Sequence, residues 1–102
     1  MKTEKWWLES GEAQADKWSS FEIPSYEARS QLRKGVYVKA LFAFKDGERE
    51  RMWIEVTGGS STGYVGTLLS TPASVDERIL KTGTEIKFDP SHVIDIDDPE
   101  GL

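Results

Sequence analysis

Two alternating segments on either side of a turn signal constrain this chain more than any other feature. Residues 36–44 read Val36-Tyr37-Val38-Lys39-Ala40-Leu41-Phe42-Ala43-Phe44, rich in strand formers. Residues 49–57 read Arg49-Glu50-Arg51-Met52-Trp53-Ile54-Glu55-Val56-Thr57, with Met52, Ile54 and Val56 on one side of the pleat. Lys45-Asp46-Gly47 lies between them, its glycine free to take positive φ. A two-residue loop would set Ala40 opposite Trp53 and Phe42 opposite Arg51, mixing apolar and charged residues on both faces. A three-residue loop sets Ala40 opposite Met52 and Val38 opposite Ile54. It gathers Val36, Val38, Ala40, Phe42, Met52, Ile54 and Val56 on one face. A one-residue slip would turn that set to solvent, so the three-residue loop is expected. The other face then carries Tyr37, Lys39, Leu41, Arg51, Trp53 and Glu55. Lys39 falls opposite Trp53, within cation–π reach, and Tyr37 opposite Glu55.

Shorter elements surround the hairpin. Residues 12–17 favour a helix. Ser25 caps a second one over residues 26–33, expected to bury Ala28 and Leu32 and to end near Gly35. Residues 58–62 read as a flexible loop of Gly, Ser and Thr. Residues 63–69 form a third strand, whose glycines hint at a bulge or bend. Ser74-Val75-Asp76-Glu77 has capping-box spacing and opens a helical turn ending at Gly83. Residues 84–88 form a fourth strand, and residues 93–96 are a candidate fifth. The expected fold is α+β: a strongly bent antiparallel sheet or small, partly open barrel of four to five strands. One or two short helices pack on one side. All 102 residues fit one domain. It divides into a Trp-rich segment 1–24, a core 25–96 and an acidic tail 97–102.

Composition narrows the function classes. No cysteine is present, which excludes disulfides, thiolate chemistry and Cys-ligated metals, and favours a reducing compartment. The apolar run Trp6-Trp7-Leu8 ends at Glu9, too short for a signal peptide, and nothing approaches the roughly 20 apolar residues of a membrane span. A cytoplasmic location without membrane contact is expected. The formal net charge of −5 opposes phosphate backbones, so nucleic acid is a disfavoured partner and another protein the expected one.

The order of segments 36–42, 47–56, 63–72 and 80–95 resembles the YegJ-like bacterial domain of unknown function. That domain pairs a "VKxxF" strand with a Trp-bearing "MWV" strand, then a "GxL…P" segment and a "GDxVxF" strand. The likeness spans roughly residues 35–96. It implies a small α+β fold and no established activity.

Each candidate for chemistry meets a plainer reading. His92 would need a partner such as Asp89 or Asp95 to act as a base, and no second His or nucleophile motif supports it, so it reads as a locally bonded loop residue. Asp95, Asp97 and Asp98 lack the ligand spacing of a calcium loop and read as a solvated tail. Gly58–Gly63 lacks the Lys and the following helix of a phosphate loop. Lys39, Lys45, Arg49, Arg51 and Trp53 make a basic-aromatic patch, but Glu48, Glu50 and Glu55 interleave. Trp6, Trp7 and Trp18 are either core or a partner anchor. No catalytic residue, metal ligand or cofactor is assigned. The expected function is a non-enzymatic protein–protein interaction module, an inhibitor or immunity-type antagonist among its forms. Its candidate contacts are Trp53, Tyr37, Lys39, Arg51, Glu55 and Tyr64. The alternative is a small-ligand or single-stranded nucleic-acid domain using the sheet face around Trp53, in a groove beside the 58–63 loop.

Overall fold

The computed structural model describes residues 5–99. Among them the order is β1 (Trp6–Leu8), α1 (Gly11–Lys17), α2 (Tyr26–Arg29), β2 (Tyr37–Phe44), β3 (Arg49–Ser60), β4 (Gly63–Leu68), β5 (Glu85–Phe88), a 3-10 turn (Pro90–His92) and β6 (Val93–Asp97). All strand pairs are antiparallel, in the order β1-β2-β3-β4-β5, with β6 also on β2. β1 pairs with residues 42–44 of β2 and β6 with residues 37–40, so the two lie end to end along one edge of β2. Six described strands therefore occupy five positions of a strongly curled half-barrel.

The hairpin has the register that its apolar pattern requires. Val38 faces Ile54, Lys39 faces Trp53 and Ala40 faces Met52. The turn is closed by Phe44 N–H to Glu48 C=O and Gly47 N–H to Phe44 C=O, with Gly47 at φ 97°. The inward set is fully buried: Val38, Ala40, Phe42, Met52, Ile54 and Val56 pack with Leu68, Ile86, Phe88 and Val93.

Four local readings change. Residues 58–62 are not a loose loop. β3 runs on to Ser60, and Gly58, Gly59 and Ser60 pair with Val65, Tyr64 and Gly63, leaving a two-residue turn; the bulge falls between Val56 and Gly58. α2 is one turn, capped by the Ser25 hydroxyl as expected, but Ala28 is exposed and Arg29 is the residue it buries. Residues 74–83 form no helix: the Ser74 N–H and hydroxyl both donate to Glu50, and Asp76 leads one turn instead, its side chain accepting from Arg78 N–H and its C=O from Ile79 N–H. The expected acidic tail is partly strand: Asp97 ends β6, and Asp98 is bonded to Arg33. Residues 100–102 lie outside the described part.

The helices are held over β6 and the 3-10 turn by Arg29. Its Nε donates to Pro24 C=O at 2.8 Å, and its Nη1 donates to Pro90 C=O and to Glu12 Oε2, both at 2.7 Å. Gly11 lets α1 sit against Ile94, since a Cβ there would lie 2.6 Å from Ile94 Cγ2.

Candidate functional site

The outer face of the sheet is built by the same alternation that builds the core. Inward residues of β2 fix Tyr37 and Lys39 outward; inward residues of β3 fix Arg51, Trp53 and Glu55 outward. Lys39 Nζ lies 4.9 Å from the Trp53 ring centroid, the pairing that the register implied. Tyr37 faces Glu55 on one side and Asp97 on the other, and Lys39 faces Asp95. Tyr37, Lys39, Trp53 and Glu55 are half-buried; Arg51, Asp95 and Asp97 are exposed. The centre is thus an aromatic–cation pair on rigid strands, bordered by three carboxylates.

Arg51 turns toward one end of this face, its guanidinium 5.2 Å from the Phe21 ring centroid. Residues 20–24 arch over that end and roof a cavity of about 460 Å³. Lys39, Arg51, Ile94 and Asp95 line it from the sheet side. Sequence reasoning missed this roof, because residues 18–25 carry no periodic signal.

Tyr64 does not belong to this face. It points inward from β4, is 3 % exposed and stacks on Phe88 with centroids 5.3 Å apart. Its hydroxyl donates to Arg29 C=O and accepts from Leu32 N–H. A tyrosine so buried and satisfied is core, and it is withdrawn as a docking residue. The tryptophans divide: Trp6 lies 5.7 Å from Phe42 in the core, Trp7 Nε1 donates to Glu9 at 2.7 Å, and Trp18 is 54 % exposed.

His92 is bonded locally. Its Nδ1 accepts from Asp89 N–H at 3.1 Å, and Asp89 caps the 3-10 turn by accepting from Ser91 N–H and Oγ. Burial pushes the Asp89 pKa up, but the Ser91 bonds and His92 together hold it below the ordinary value. With Nδ1 occupied, the ring has no free nitrogen on the Asp89 side to act as a base. Among the described residues, no group of three His, Cys, Asp or Glu is placed to hold a metal ion. No described helix is long and apolar enough to cross a membrane.

No protein-family model, curated protein or solved structure matches the chain. What the site does must be argued from its own geometry.

Proposed function

We propose that this chain is a non-enzymatic protein-binding module that docks a basic partner on the outer face of β2, β3 and β6. One observation carries the reading: the half-buried Lys39–Trp53 pair, bordered by Glu55, Asp95 and Asp97. Trp and Tyr on paired strands offer large, preorganised contact area at small entropic cost, as binding hot spots do. The carboxylates complement arginine or lysine, and the net charge of −5 steers such a partner in. Inhibition or neutralisation of a basic protein is the role this suits. The YegJ-like resemblance implies no activity and adds nothing here.

The test is a pull-down from the native host with wild-type chain and Trp53→Ala in parallel, at low and high salt. The expected result is a specific protein, captured in a salt-sensitive way, lost with Trp53→Ala and weakened with Asp95→Asn/Asp97→Asn. No specific protein, or capture indifferent to Trp53, would refute the proposal.

A small-ligand reading is favoured by one feature, the cavity under residues 20–24, where Lys39 and Arg51 meet Glu22 and Asp95. A thermal-shift panel of nucleotides and short oligonucleotides tests it, with a shift abolished by Arg51→Ala as the supporting outcome. Single-stranded nucleic acid fits less well, since three carboxylates around the stacking ring repel phosphates.

A further inference from the structure

The curled sheet has a seam. Among the described residues, β1 and β5 are its two ends, and each is paired on one side only. In an antiparallel ladder, alternate residues turn their backbone groups toward the partner strand. Lys5 C=O accepts from Lys45 N–H, and Glu9 N–H donates to Leu41 C=O, so Lys5, Trp7 and Glu9 face β2. The N–H and C=O groups of Trp6 and Leu8 therefore aim away from β2. Thr84 C=O accepts from Leu68 N–H, which by the same rule turns Ile86 and Phe88 toward β4. Glu85 and Lys87 then aim their backbone groups outward. Both unpaired edges border one groove of about 640 Å³.

The groove has a definite chemistry. Its floor is Trp6, Leu8 and Ile79, half-buried side chains packed on the core. Lys5 and Lys87 stand on its rim, both exposed, and neither has an ion-pair partner among the described residues. Arg78 adds a third cation, although Asp76 holds it by two bonds at 3.0 Å. Glu85 is the one carboxylate among the lining residues. A local basic excess in a chain of net charge −5 marks this groove off from the acidic face around Trp53.

Direction fits too. Every neighbouring pair is antiparallel, so β1 and β5 run the same way. A strand entering between them in the opposite sense pairs antiparallel with both edges at once. We propose that the seam receives an extended acidic segment of a partner protein, with apolar residues alternating with Asp or Glu. Its apolar side chains rest on Trp6, Leu8 and Ile79, its carboxylates meet Lys5 and Lys87, and its backbone ladders onto both edges. This is recognition by strand addition, in which main-chain bonds supply affinity and alternate side chains supply specificity. It uses none of the Tyr37, Lys39 and Trp53 contacts.

The probe is a short end-capped peptide of alternating Val and Glu, titrated into the full ¹⁵N-labelled chain by NMR and calorimetry. Two control peptides accompany it: one with Lys in place of Glu, and one with alternate backbone amides N-methylated. The Val/Glu peptide is expected to bind and to shift the Trp6, Leu8, Glu85 and Lys87 amides. Lys5→Glu/Lys87→Glu, with its melting temperature checked, is expected to weaken binding about tenfold, since each exposed pair contributes up to about 1 kcal/mol. N-methylation should abolish binding, and Trp53→Ala should leave it unchanged. Equal binding of the Lys peptide, binding that survives N-methylation, or shifts elsewhere would overturn the proposal. So would sedimentation showing that the seam pairs two copies of this chain.

Discussion

Replacing Arg29 with alanine tests how the helical layer is fixed to the half-barrel. The guanidinium is buried and serves three acceptors from three segments: Pro24 C=O, Pro90 C=O and Glu12. Losing the donor leaves Pro90 C=O with the Val93 N–H alone and removes one bond in a buried position, which costs about 1–2 kcal/mol. Pro24 C=O is partly buried and adds about 1 kcal/mol. Glu12 is 42 % exposed, so solvent screens its ion pair and the loss there is about 0.2–1 kcal/mol. The total expected loss is about 2–4 kcal/mol, carried by the carbonyls rather than by charge. Urea unfolding followed by tryptophan fluorescence reads it, a midpoint shift of about 1–2 M at an ordinary m-value. Arg29→Met keeps the stem and should recover little, while Glu12→Gln should cost less than about 1 kcal/mol. If Glu12→Gln costs as much as Arg29→Ala, the ion pair dominates and the argument is wrong. A loss below about 0.5 kcal/mol for Arg29→Ala would refute it outright.

Other perturbations reach other parts of the fold. Burial pushes Glu50 up, but bonds from the Ser74 hydroxyl and the Ala73 and Ser74 amides outweigh it and hold its carboxyl below the ordinary 4.5. A depressed folded pKa gives stability that is present above the unfolded value and lost as pH falls through the folded one. Wild-type melting temperature should therefore drop as pH falls below about 4.5, and Glu50→Gln should be flatter there and weaker at neutral pH by about 1 kcal/mol. Gly66→Ala should cost about 1–3 kcal/mol in chemical denaturation, because a Cβ would lie 2.5 Å from both Ile54 Cγ2 and the Glu55 carbonyl oxygen, and the latter is backbone. Gly47→Ala meets nothing within 4 Å, yet φ of 97° should still cost it about 1–2 kcal/mol by the same assay.

How much was legible in the sequence follows from where the information sits. The hairpin register was readable because a single slip would expose Val38, Met52 and Ile54, a penalty visible in the residue types alone. It also placed Lys39 over Trp53. β1 was invisible: Trp6-Trp7-Leu8 has no alternation, since Trp6 and Leu8 face the core while Trp7 is held on the other side by Glu9. Tyr64 was misread because its neighbours Gly63, Val65 and Gly66 do not reveal which way it faces; its hydroxyl partners come from residues 29 and 32. Ser74 looked like a cap because local spacing cannot show that Glu50 claims its hydroxyl. In the Tyr64 and Ser74 misses, a distant partner overrode a local pattern.

The arrangement of edges explains why two opposite surfaces can coexist on so small a sheet. An unpaired strand edge invites uncontrolled pairing unless the chain guards it. Here α1 packs against β6, but nothing described pairs with the outer edges of β1 and β5. Those two edges are short, three and four residues, and they carry Glu85 and Lys87 on the exposed side. They also border one and the same groove. Curling the sheet thus brings both short edges to one groove, whose basic rim suits the acidic strand proposed for it. The convex side carries Trp53 and its carboxylates, the face proposed for a partner of the opposite sign.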